Sequence, residues 1–139
     1  VKFVLCQELI TQSDVLIIAA PLTDETRGLI DADALAAMKP GACLVNVSRA
    51  EIIDMQALVA ALDSGQISGF AVDVWKDNGD GGKDPVLVDL INRPNVVLSP
   101  HRAATKAGVS PNLQGVVRAL VAYAETGELI SQVDLKVGY

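Results

Sequence analysis

The sequence predicts an α/β fold built on a parallel sheet, and three observations carry that expectation. Short continuous apolar runs alternate with stretches whose apolar residues recur at helical spacing. Proline and glycine punctuate the boundaries between the two kinds of segment. Of the 139 residues, 50% are hydrophobic but only 4% aromatic. That aliphatic bias suits helices packed on a sheet buried on both faces.

The elements follow in order. VLIIAAP (15–21) reads as a strand buried on both faces and ended by Pro21. ADALAAMKPG is a short helix stopped by Pro40 and Gly41. ACLVNVS (42–48) is a second buried strand. In DMQALVAALDSG, Asp54 is the N-cap and Gly65 the stop, and Met55, Leu58, Val59 and Leu62 share one helical face. ISGFAVDV gives a third strand ending near Asp73. The loop DNGDGGKD and a short helix over 85–91 lead to a fourth strand in NVVLSP. Residues 103–126 form a last helical region, in which Pro111 either kinks the helix or starts a second segment. Such alternation implies right-handed crossovers between parallel strands.

Composition excludes several classes of function. A net charge of -6 without any basic cluster argues against nucleic acid or an anionic membrane as partner. The apolar runs are far shorter than the roughly 20 residues a membrane span needs. No signal-peptide pattern opens the chain, so a cytoplasmic protein is expected. Cys6 and Cys43 lack C-x-x-C spacing, which fits free thiols in a reduced compartment. His101 is the single histidine, and nothing at ligand spacing supports a metal site. DNGDGGKD shares composition but not spacing with a calcium loop.

In open parallel sheets, ligands bind beyond the carboxyl ends of the strands. The polar residues just past the apolar runs are Thr23, Ser48 with Arg49, Asp73, and His101. Arginine has the planar fork that suits a carboxylate, and histidine moves protons near neutral pH. Plainer readings stand beside these. His101 fits a core or surface position, Arg49 an ion pair with Glu51 or Asp54, and Asp73 a cap on the following turn. A hydrolytic triad of Ser48, His101 and Asp73 lacks a nucleophile elbow.

Four blocks, SDVLIIAAPLTDETRGLID, MKPGACLVNVSRAEIID, ALVAALDSGQISGFAVDVW and RPNVVLSPHRAAT, together resemble the D-isomer-specific 2-hydroxyacid dehydrogenases. They are collinear, and the match runs nearly end to end. The resemblance implies a partial doubly wound (Rossmann-type) parallel sheet with flanking helices, and hydride transfer between NAD or NADP and a small 2-hydroxy or 2-oxo acid. By position, Arg49 matches the residue that grips the substrate carboxylate and His101 the catalytic acid/base. Asp73 matches a residue near the nicotinamide carboxamide. Ala20, Pro21, Val47, Ser48, Ala103 and Ala104 match positions lining the cofactor, together with Arg49 and His101.

The chain departs from the family pattern in three places. Asn78 stands where a glutamate usually pairs with the histidine, and it cannot stabilise imidazolium as a carboxylate does. Asp77 or Asp80 would have to substitute from a shifted loop. Ala50 replaces a common glycine. No G-x-G-x-x-G is present to cradle a pyrophosphate. VKFV resembles the short strand that follows that motif in the family, and GELISQVD resembles a family ending. The expectation is that 1–139 form a truncated NAD(P)-binding domain with the family's C-terminal helix and tail, without the glycine-rich loop and substrate domain. Cofactor binding is then weak or absent and the isolated chain inactive. The alternative is a non-catalytic remnant module serving self-association or partner binding. A strand at 15–19 with an open edge further implies a homodimer or higher oligomer.

Overall fold

A computed structural model describes residues 1–75, 84–99, 101 and 111–127. The chain divides into two compact units, Val1–Pro100 and His101–Tyr139. The first unit holds α1 (Cys6–Gln12), β1 (Val15–Ile18), α2 (Ala32–Ala37), β2 (Ala42–Asn46), a 3-10 turn (Ala50–Ile52), α3 (Met55–Asp63), β3 (Ile67–Val72), α4 (Pro85–Ile91) and β4 (Val96–Leu98). Its four strands make one sheet in the order β1-β2-β3-β4, parallel throughout.

The helix starts follow from side-chain chemistry. Asp54 accepts from the N–H groups of Gln56 (3.0 Å) and Ala57 (3.1 Å) at the head of α3. Asp31 caps α2 through Ala34 N–H at 2.8 Å, and Asp84 caps α4 through Val86 N–H at 2.9 Å. In each case a carboxylate satisfies an amide that has no helical partner. Pro85, the first residue of α4, lacks a donor where none is needed. Beyond α3, Gly65 takes φ 75°, the left-handed turn that glycine enters without steric cost.

Parallel register lines the strands up in rows. Leu16, Leu44, Phe70 and Val96 form one row, and Ile18, Asn46, Val72 and Leu98 the next on the same face. Leu35, Leu44, Ile52, Leu58, Ile67 and Leu90 are fully buried in the core on that side. On α3 the face turned inward is Leu58, Ala61 and Leu62, with Met55 and Val59 half-buried against it. Arg93 ties α3 to α4, its Nη1 meeting Asp63 and its Nε meeting Asp89, each at 2.7 Å.

Three expectations need correction. The strands are not buried on both faces: in β1 exposure alternates, with Val15 54% and Ile17 61% exposed against buried Leu16 and Ile18. Val97 of β4, in the row of Ile17, is likewise exposed. An apolar run therefore marks strand formation here without marking two covers, because aliphatic side chains favour the pleated backbone on either face. Second, VKFV forms no strand. Residues 1–5 pair with no ladder among the described residues, and Val1, Phe3 and Leu5 are exposed. Third, α1 was not anticipated; its short, polar sequence CQELITQ buries only Ile10.

The second unit contains α5 (Pro111–Thr126). Pro111 thus begins this helix and does not kink it. Val117, Leu120 and Val121, at i, i+3 and i+4 on one face, are exposed.

Two substitutions gauge the first unit. Leu58→Ala should lower its unfolding free energy by about 2–5 kcal/mol, the cost of a buried leucine plus its cavity. Asp54→Ala should remove about 1 kcal/mol by uncapping α3. Urea melts followed by circular dichroism check both, with an unchanged slope showing that the change lies in stability.

Candidate functional site

The last aligned row of the sheet, Ile18, Asn46, Val72 and Leu98, ends all four strands at one level. Past it the backbone pairing runs on for one more residue. Val47 N–H donates to Ile18 C=O (3.2 Å), Asp73 N–H to Asn46 C=O (3.1 Å) and Ser99 N–H to Val72 C=O (3.0 Å). These bonds fix where each connecting segment leaves the sheet.

Side chains then join neighbouring segments. Ser48 Oγ donates to the Ala20 carbonyl, linking the segments after β2 and β1. Ser99 Oγ donates to Asp73 Oδ1, linking those after β4 and β3. Asn46 folds its amide over its own segment, accepting from Ser48 N–H (2.9 Å) and donating to Arg49 C=O (2.8 Å). Among the described residues the buried polar side chains are Asn46, Ser48 and Asp73, and all three lie on this rim. Each buried polar group costs stability unless it is hydrogen-bonded, and no buried side-chain nitrogen or oxygen described lacks a partner.

The expected residues fall as follows. Arg49 is exposed, and its Nη1 donates to the Ser48 carbonyl at 2.7 Å. It forms no ion pair with Glu51 or Asp54 among the described residues, and Asp54 is engaged in capping α3. Asp73 is buried beside Ser99. Ser48 is buried, Ala20 half-buried, and Pro21 and Val47 exposed. The rim thus brings Arg49, Ser48, Ala20 and Asp73 to one end of one sheet.

His101 opens the second unit and is exposed. Its backbone takes φ 54°, the left-handed region, alone among the described non-glycine residues. That conformation costs on the order of 1–2 kcal/mol for a residue with a Cβ. Asn78, Asp77, Asp80, Ala103 and Ala104 lie outside the described residues.

Two rim residues went unnoticed in the sequence. Asn46 interrupts an apolar strand, and a polar residue in such a run is itself a signal. Ser99 precedes Pro100 and His101 without any periodic mark.

Thr23, in the segment after β1, is hydrogen-bonded through its N–H to Thr26 Oγ1 at 2.8 Å. A hydrogen bond from its side chain, and then one from Glu25's own backbone, hold the Glu25 carboxyl below its usual range.

A parallel four-stranded sheet with flanking helices, whose strand ends carry an arginine, a buried aspartate and hydroxyl cross-links, is of the Rossmann type seen in the dehydrogenases it superposes on. The particular family is clear as well: the chain belongs to the D-isomer specific 2-hydroxyacid dehydrogenases, whose NAD binding domain matches residues 1–103. A 2-hydroxyacid dehydrogenase homologue of Schizosaccharomyces pombe is 40% identical over 112 residues, covering 74% of this chain and 34% of that protein. The structure of a D-2-hydroxyisocaproate dehydrogenase superposes with TM-score 0.81 at 32% identity, over 91% of this chain and 42% of the other. A D-isomer specific 2-hydroxyacid dehydrogenase of Xanthobacter autotrophicus Py2, solved with NADPH and MES, gives 0.78 at 31% identity, over 96% and 55%. The chain spans about a third of the length of the curated relatives it matches. No helix among the described residues is long and apolar enough to cross a membrane.

The lowered Glu25 carboxyl fixes the sign of a pH effect. Its charged form is favoured by folding, so the contribution is present above the unfolded pKa and is lost as pH falls through the lower folded one. Thr23→Val should return the Glu25 titration upward toward an ordinary carboxylate, read from its side-chain carboxyl resonance by NMR.

Proposed function

We propose that this chain is the part of an NAD- or NADP-dependent 2-hydroxyacid dehydrogenase that carries the substrate-binding arginine and the acid/base histidine. The observation that supports this most is the rim itself, where Arg49 is exposed and, among the described residues, in no ion pair with an acid, while Asp73 is buried and held by Ser99. A guanidinium kept from Glu51 and Asp54 is available to a carboxylate ligand, and its fork takes the two oxygens side by side.

The donor set fits the nicotinamide end of a dinucleotide. Asp73 offers a carboxylate oxygen to a carboxamide N–H, and Ala20, Pro21, Val47 and Ser48 offer small or apolar walls on the same rim. The chain has no G-x-G-x-x-G to take the pyrophosphate. Hydride transfer at C2 is the chemistry a bound nicotinamide supplies. Arg49 orients the 2-oxo acid by its carboxylate and keto oxygen. His101 donates a proton to the developing alkoxide during reduction and takes it back during oxidation. Ala103, Ala104 and Asn78 belong to this reading by position in the family pattern alone. The family model names NAD and the Xanthobacter neighbour holds NADPH, so either dinucleotide fits the reading.

Self-association is a second part of the proposal, and a specific feature favours it. Among the described residues β1 is an edge strand, and Val15 and Ile17 on it are exposed. An open apolar edge is a template for pairing with another chain, so a homodimer or higher oligomer is the proposed state.

Three outcomes test these statements. In a complete enzyme containing this chain, Arg49→Lys should lower kcat/KM for a 2-oxo acid roughly 10- to 100-fold, the worth of a charged hydrogen bond, while His101→Ala should lower kcat roughly 10²- to 10⁴-fold. Steady-state kinetics that leave both constants near wild type would sink the assignment. Calorimetry of residues 1–139 alone should find NADH binding weak or undetectable, whereas micromolar affinity would overturn the importance given to the missing glycine loop. Light scattering at micromolar concentration should find an oligomer that Ile17→Glu dissociates.

A further inference from the structure

We propose that Asn46 is a positioning residue of this site, acting through the backbone of Arg49. This rests on the reading of Arg49 as the substrate-binding group. Asn46 occupies the core row of the sheet, where its neighbours in register are Ile18, Val72 and Leu98. An apolar residue would fill that place without the cost of burying an amide. Asn46 is nevertheless 0% exposed, so its amide must recover that cost from partners.

Those partners are all parts of the site. The side-chain oxygen accepts from Ser48 N–H, and the side-chain nitrogen donates to Arg49 C=O. The main-chain carbonyl accepts from Asp73 N–H. One residue thus holds the segment bearing Arg49 with its side chain and the start of the segment bearing Asp73 with its backbone. The two arms are chemically separable, because substitution of the side chain leaves the carbonyl to Asp73 in place.

The donor and acceptor are both required. Aspartate has nearly the same shape, but its ionised carboxylate is acceptor-only. In Asn46→Asp the bond from Ser48 N–H persists, while the Arg49 carbonyl faces a negative oxygen. On protonation the carboxylic acid regains one donor and restores the bond to Arg49. Loss at high pH and recovery at low pH is the signature of this geometry. A residue that only fills space would not produce a loss confined to one ligand.

The test uses the full-length enzyme carrying this chain, with oxamate as an unreactive 2-oxo acid analogue. Calorimetry with NADH present should find oxamate affinity lowered about tenfold in Asn46→Asp at neutral pH, with NADH affinity unchanged. Measured as a ratio to wild type at each pH, the oxamate defect should shrink as pH falls. Unchanged oxamate affinity, equal losses for both ligands, or a pH-independent ratio would each overturn the proposal. Thermal melts establish that the variant is folded at the temperature used. Should it not fold, Asn46→Ser replaces it, with the same selective loss of oxamate expected and equal losses overturning the idea. Arg49→Gln separates the two readings: if it leaves oxamate binding intact, the role of Arg49 fails. Hydrogen exchange then decides for Asn46, since Asn46→Ala should speed exchange at Ser48 N–H about tenfold or more over wild type, and equal rates would refute the hold on this segment.

Discussion

The structure depends on the common end-point of four parallel strands. Register places Ile18, Asn46, Val72 and Leu98 in one row, and the pairing continues for one residue beyond it in each gap. The departure points of the segments bearing Ser48, Asp73 and Ser99 are therefore set by the sheet's own hydrogen bonds. The opposite end is pinned as well, since Cys43 N–H donates to Asp14 C=O, Gly41 N–H to Gln66 C=O and Phe70 N–H to Asn95 C=O, but the segments there precede the strands. Parallel pairing sends every strand's following segment to the same end, and so collects chemistry there.

Polarity is distributed to match. The core face is aliphatic, and its burial supplies the main stabilisation of the first unit. The polar residues buried among those described sit at the rim, where hydrogen bonds can offset their desolvation. Ser48 and Ser99 each convert a hydroxyl into a link between neighbouring segments. Such cross-links limit how far the segments bearing Arg49 and Asp73 can drift.

Much of the fold was legible because its determinants are local. Asp54 marks the start of α3 through a carboxylate that reaches the next few amides, and Gly65 marks its stop through its freedom at positive φ, whereas the caps Asp31 and Asp84 emerge only in the structure. α1 left no such mark: Leu5 precedes it with no side-chain cap, and it buries one residue. Of the site, Arg49, Ser48 and Asp73 were legible as polar residues following apolar runs. Asn46 was not, since a polar residue inside a strand declares neither which face it occupies nor what it bonds. The ambiguity of Pro111 had the same origin, because proline is compatible with both a kink and a first turn.

By itself the sequence determined the alternation of strands and helices, the family, and the identity of the groups able to grip a carboxylate or move a proton. These depend on residue type and spacing, which a linear chain carries in full. Tertiary structure decided which face of the sheet holds the core, that Val15 and Ile17 stay exposed, and that Asn46 bonds the segment of Arg49. Those outcomes depend on register between strands distant in the chain. A shift of one residue in that register would turn every side chain of a strand to the other face.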